Sequence, residues 1–174
     1  MDSLFSVETT IEKKDYRKFL YLHAFILTKF TLLYLIIAPI LTGIGINCIL
    51  EDFPIKYFVL YVIILSIILV NVVLLKLECQ LNHLIKTDKF WKSTRKLDFY
   101  KDYIISSNSI AECESKMKYE QYYKVIETKE YFLCFHNVNI ASIIRKKDME
   151  SEICDKLMDI FKEKMGKEYR KINI

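Results

Sequence analysis

The sequence predicts an α+β membrane protein: a two-helix transmembrane hairpin, then a C-terminal antiparallel sheet capped by one helix. Three observations predict it. Two uncharged apolar runs of about 20 residues stand close together in the N-terminal half, short alternating aromatic and β-branched stretches fill the C-terminal half, and an amphipathic segment closes the chain.

Composition sets the frame. Hydrophobic residues make up 52% of the 174, yet 28% of the chain is charged, so the two kinds must be segregated along it. With three Gly, two Pro and no repeat or low-complexity tract, disordered and solenoid classes are excluded. The net charge of +4 is a modest excess of Lys over acids, without the basic stripe that tracks phosphates, which argues against nucleic acid as a partner. Abundant Lys and Ile beside scarce Ala and Gly is a bias common in low-GC bacterial genomes.

Residues 1–30 read as an N-terminal cytoplasmic segment and helix. Thr9-x-x-Glu12 has the form of a capping box, and Ile11, Tyr16, Phe19 and Leu20 follow at near-helical spacing. The hairpin then occupies residues 31–75. Thr31 to Leu50 carries no charge and makes a helix of about 30 Å, the thickness of the hydrocarbon core. Tyr57 to Leu75 is a second such run, apolar all round. Between them residues 51–56, EDFPIK, form the outer turn, where Pro54 and the charges stop the helix. A long N-terminal flank and the lack of a small-x-small cleavage pattern predict that the first span is retained rather than removed as a signal peptide.

Orientation follows from the basic flanks. Lys13, Lys14, Arg17, Lys18 and Lys29 precede the hairpin, Lys76, Lys86, Lys89, Lys92, Arg95 and Lys96 follow it, and Lys56 alone lies in the turn. Both termini are therefore expected in the cytoplasm, with the two spans in the cell membrane. Cys48, Cys79, Cys113, Cys134 and Cys154 are too widely spaced for a zinc site or a disulfide framework and read as reduced thiols. Inside the spans, Thr42 and Ser66 fall at similar depth, which predicts an interhelical hydrogen bond between them. Neither span carries a charged side chain, so a transport path through this chain alone is disfavoured.

Residues 76–96 read as a connecting helix with Leu77, Leu81 and Leu84 on one side, continuing the second span. Residues 97–174 then form the cytoplasmic domain. Strands are expected at Leu97–Tyr100, Tyr103–Ser106, Glu112–Lys118, Tyr122–Glu127, Tyr131–Phe135 and Ile140–Arg145, with turn chemistry at Ser107-Asn108-Ser109, Thr128-Lys129-Glu130 and His136-Asn137-Val138-Asn139. An amphipathic helix is expected over Met149 to Lys167.

KVIETKEYFLCF, Lys124 to Phe135, and IASIIRKKDM, Ile140 to Met149, resemble two strands of the YcxB-like family of bacterial membrane proteins. The segment from Phe99 to Met165 is similar to that family's C-terminal domain, and the paired spans match its layout. Tyr119 stands where the family commonly has Trp, and Arg145 where it has Pro. The resemblance implies a pleckstrin-homology-like domain, a curved antiparallel sheet closed by a C-terminal helix, and little about biochemistry.

No glycine-rich phosphate loop, H-E-x-x-H, G-x-S-x-G or metal-ligand cluster occurs, so no catalytic, cofactor or metal site is expected and the chain does not read as an enzyme. The most distinctive polar group is Arg145-Lys146-Lys147, placed to contact lipid headgroups at the inner leaflet. The leading expectation is a membrane-tethered, non-catalytic interaction module, whose partners are the bilayer and a protein or lipid at the inner leaflet; homo-oligomers are compatible with it. The alternative is a self-protection protein of the bacteriocin-immunity type, and behind it a subunit of a transporter or channel assembly.

Overall fold

A computed structural model describes residues 3–49, 54–87, 93–109 and 114–173. The chain divides into two compact units, Lys13–Lys89 and a second built from Met1–Glu12 with Phe90–Ile174.

The first unit is helical. It runs α1 (Lys13–Leu22), a π-helical turn (His23–Leu27), α2 (Lys29–Ile49) and α3 (Ile55–Thr87). The Thr28 N–H reaches back to the His23 carbonyl at 2.9 Å, and Thr28 itself leaves helical backbone geometry, so α2 begins as a separate helix. Both α2 and α3 are long and apolar enough to cross a membrane. Their apolar side chains face outward: none of the most apolar stretch of α3 is buried, and Ile63, Ile64, Ile67 and Ile68 are each about half exposed. Of the expected outer turn, residues 51–53 lie outside the described residues, as do Leu50 and Cys113, and Ile55 and Lys56 already belong to α3.

Gly43 sets how closely α2 approaches α3. A Cβ added there would lie 2.8 Å from Cε2 of the Phe58 ring, well inside van der Waals contact. The Thr42–Ser66 bond expected across this pair does not form. The Thr42 hydroxyl instead donates to carbonyls of its own helix, Ala38 at 2.9 Å and Pro39 at 3.1 Å, and Ser66 donates to Val62 at 2.8 Å. A hydroxyl in an apolar helix satisfies itself most cheaply on the preceding turn. Beyond the apolar stretch, α1 is fastened to the last turns of α3. The Arg17 guanidinium meets Glu78 at 2.7 and 3.0 Å, Tyr21 donates to the same carboxylate at 3.0 Å, and Lys13 reaches Asn82 at 2.9 Å.

The second unit holds two four-stranded sheets and one long helix. The first sheet has the order β1 (Phe5–Thr10), β2 (Thr94–Phe99), β3 (Tyr103–Asn108), β4 (Glu114–Lys118) and is antiparallel throughout. The second comprises β5 (Lys124–Glu127), β6 (Tyr131–Phe135), β7 (Ala141–Arg145) and β8 (Tyr169–Lys171), in the order β7-β6-β5-β8. It is mixed, because β8 joins β5 in parallel. Between β7 and β8 runs α4 (Ser151–Met165), and Gly166, at φ +51°, adopts the left-handed backbone that ends it and turns the chain toward β8.

Two boundaries differ from expectation. Residues 5–10 are not the lead-in to a helix but strand β1, paired residue for residue with β2 from Phe5↔Phe99 to Thr10↔Thr94. FSVETT alternates, placing Val7 and Thr9 inside at 2% exposure each, and period-2 burial prevails over the capping-box spacing. Thr9 and Glu12 accordingly spend their side chains elsewhere, as described below. α3 runs to Thr87, and Thr94, Arg95 and Lys96, at the end of the range expected to be helical, already belong to β2, which alternates through the strand expected from Leu97.

The two sheets and α4 share one core. Val7, Leu97, Phe99 and Ile104 from the first sheet meet Val125, Phe132, Cys134 and Ile144 from the second, with Leu157, Phe161 and Met165 of α4 closing it. Tyr119 sits among them at 1% exposure; its ring lies edge-on to Phe161 and its hydroxyl donates to the Tyr100 carbonyl at 2.9 Å, so the aromatic keeps a satisfied polar tip.

Two substitutions test this account. Val7→Asp puts an unpaired carboxylate into the core from a strand remote in sequence, and is expected to unfold the sheet unit, read as loss of protease resistance of residues 93–173. Gly43→Leu is expected to destabilise the helical pair by about 1–3 kcal/mol in thermal melts in detergent, as overpacking does. Adding Phe58→Ala should recover most of that loss.

Candidate ligand cleft between the sheets

Alternation along the inner strands explains a change of character from one end of the core to the other. In β2 the inward positions are Arg95, Leu97 and Phe99, and their cross-strand partners in β3 are Asn108, Ser106 and Ile104. On β4, Ser115 and Met117 continue the same rows. The second sheet repeats the pattern: Phe132 and Ile144 pair at the apolar end, while Ser142 stands opposite Cys134 and His136 follows two residues on. Both inner faces thus pass from aromatic and aliphatic to polar.

At that transition lies a cavity of about 210 Å³, lined by Arg95, Leu97, Ile104, Ser106, Ser115 and Met117 on one side and Tyr122, His136, Ser142, Ile143 and Ile144 on the other. His136 Nε2 and Ser142 Oγ are 2.7 Å apart and share a hydrogen bond, and the Tyr122 ring leans on the imidazole at 5.3 Å. Burial, reinforced by the Arg95 charge, holds His136 below its ordinary value, so the ring is neutral at pH 7. Burial pushes the Tyr122 phenol up, keeping it protonated. Among the described residues, Arg95 has no ion-pair partner, and the cavity lining contains no carboxylate. His136 and Ser142 stand at nucleophile–base distance, but among the described residues no acid orients the imidazole.

A second polar centre lies at the far end of β5. Glu127 is 2% exposed and receives Lys146 Nζ at 2.6 Å, Lys171 Nζ at 3.1 Å and the Tyr169 hydroxyl. Burial alone would raise the Glu127 carboxyl; the hydrogen bonds from Lys146, Tyr169 and Lys171 outweigh it and hold the group below the usual carboxylate range. Since Tyr169 and Lys171 belong to β8, this acid fastens the last strand in place.

The basic triplet expected to meet lipid headgroups is largely turned inward. Arg145 is 6% exposed, grips Asp148 through Nε at 2.6 Å and Nη2 at 2.9 Å, and reaches Glu12 at 3.0 Å. Lys146 pairs with Glu127 and lies 4.7 Å above the Phe132 ring. Lys147 alone is well exposed, and it approaches Glu12 at 3.3 Å. Asp148 also accepts from the Thr9 hydroxyl at 2.7 Å, so the cluster ties the end of β1 to the end of β7. Arg145 and Lys146, so fully paired, serve as internal ties, and Lys147 is the member of the triplet left at the surface.

Sequence reasoning missed the cleft because it started β2 at Leu97. Counting back in steps of two from the aromatic Phe99 puts Arg95 on the core side, and counting forward from Phe132 does the same for His136; that misplaced polarity was the available signal.

The geometry defines a domain of two facing sheets closed by a helix, with an apolar helical unit interposed in sequence between its first two strands. Residues 99–159, from the end of β2 into α4, match the family model described as YcxB-like protein, so this segment is similar to a YcxB-like domain. The match leaves out β1 and the helical unit. Comparisons with curated proteins and with solved structures give no match.

Glu127→Gln is expected to cost about 3 kcal/mol, the low end for breaking a buried pair, because Lys171 stays in reach of water. The folded-state value of Glu127 is depressed, so its contribution is present above the carboxyl's unfolded value near 4.3 and fades as pH falls through the lower folded value. Urea melts of the wild type should therefore lose stability as pH falls below about 4.3, and Glu127→Gln should flatten that slope.

Proposed function

We propose that this protein is a membrane-tethered cytoplasmic binding module: α2 and α3 cross the cell membrane as a two-span hairpin, and the sheet unit takes a ligand or partner at the inner leaflet. The observation that carries this reading is the interposition of the apolar pair between two hydrogen-bonded strands. The hydroxyls of Thr10 and Thr94 are 3.0 Å apart, on either side of the whole helical excursion. A chain that leaves a sheet and rejoins it on the neighbouring strand crosses a bilayer an even number of times, so both flanks share one side. The basic flanks favour the cytoplasm for that side.

Lipid is the solvent the helices call for. Side chains such as Leu33, Ile36, Leu41, Ile63, Val72 and Leu75 are 50% or more exposed, apart from others nearly so, and form an apolar surface far larger than a soluble monomer tolerates. Two sheets of four strands and a closing helix support the pleckstrin-homology-like reading of the domain, with β8 as an added parallel strand. The cleft supports binding rather than turnover, because its Ser and His lack an orienting acid among the described residues. Tethering concentrates such a module at the membrane without any further contact.

Membrane fractionation and tag mapping test this. The chain is expected to resist alkaline carbonate extraction, and tags at its two ends should be shielded from protease in intact cells and cut after permeabilisation. Release into the aqueous fraction, or cleavage of either tag in intact cells, overturns the reading.

A further inference from the structure

We propose that the cleft between the sheets binds a small monocarboxylate with an apolar body, its carboxylate seated on the Arg95 guanidinium. This rests on the binding-module reading above and names the ligand class.

The position of Arg95 is the first ground. It shares the inward row of β2 with Leu97 and Phe99, which are 8% and 0% exposed, at a register where a side chain faces the core. Arg95 itself is partly buried, and among the described residues it has no counter-ion. An anion entering the cleft would supply it. The guanidinium fork matches a carboxylate in two parallel hydrogen bonds.

The lining is the second ground. Among the described residues no Asp or Glu lines the cavity to repel an anion, while the hydroxyls of Ser106 and Ser115 offer further donors. His136 is engaged with Ser142 and neutral, so the described lining carries a single positive charge. One charge complements a monoanion; a dianion would bring a second charge into the cavity unpaired.

Size and the apolar wall give the rest. A dry cavity of about 150 Å³ holds a benzene-sized molecule. The cleft, at about 210 Å³ and floored by Leu97, Ile104, Met117 and Ile144, takes a six-carbon chain or an aromatic ring with the polar head outermost.

The test titrates hexanoate and its neutral isostere hexanamide into the full chain in nanodiscs of zwitterionic lipid, by calorimetry, with empty nanodiscs as blank. Saturable hexanoate binding is expected, with hexanamide at least tenfold weaker. Arg95→Gln should weaken hexanoate at least tenfold while leaving hexanamide unchanged. Arg95→Lys keeps the charge without the fork and should weaken hexanoate severalfold, which preserves the test where the Gln variant does not fold. No saturable hexanoate binding, equal binding of the amide, or wild-type affinity in a folded Arg95 variant overturns the assignment. Failure here with the chain still retained by membranes overturns the ligand class alone; release from membranes overturns the tether and leaves the titration's answer standing.

Discussion

The antiparallel pairing of β1 with β2 is the constraint on which the rest of the sheet unit depends. Six residues of each strand are in register, and the inward members of β1 are core residues: Val7 is buried, and Phe5 stacks on Phe99 at 4.9 Å between ring centres. Without β1, the edge of β2 would stand open beside an apolar face, the arrangement most prone to wrong pairing. Because the cost of closing a loop grows only slowly with its length, a long excursion between the paired strands is thermodynamically tolerable. What the pairing demands is that the excursion return to where it began, and an even number of apolar helices does so.

Electrostatics reinforces the same joints. Arg145, Asp148, Glu12 and Thr9 link the C-terminal end of β1 to the second sheet, and Glu127, Lys146, Lys171 and Tyr169 link the C-terminal strand to β5. Each group joins segments far apart in sequence, where local propensity offers nothing. Arg145 can play this part because a strand residue with an N–H and a long forked side chain stands where the resembled family commonly has Pro. The cleft is the one place on the inner faces where polarity is left open rather than tied off among the described residues.

Much of the architecture was legible from pattern alone. The two apolar runs became α2 and α3, and the stretches read as strands became β2 to β7, with Tyr131–Phe135 matching to the residue. These segments announce themselves through local periodicity. β1 and β8 do not: FSVETT is short and sits before a capping signal, and YRK is three residues whose identity as a strand comes from a parallel neighbour over forty positions earlier. Sites fared worse than elements. Arg145-Lys146-Lys147 looks like a surface cluster because sequence gives the charges and not their partners, and Thr42 and Ser66 look like a pair because depth does not say which carbonyl a hydroxyl prefers. Arg95 and His136 were readable only after strand register was known.

The long separation of β1 from β2 has a consequence for biosynthesis. The 83 residues between Thr10 and Thr94 include both apolar helices. At translation rates of about 5–20 residues per second, the ribosome needs roughly 4–17 s to cover that distance. For that interval the nascent β1 has no partner, while the segments behind it are the two long apolar helices. A strand held waiting in this way is kept from mispairing by its own brevity and by the charges of Glu8 and Glu12, and the domain can close only after its hydrophobic insert has been made.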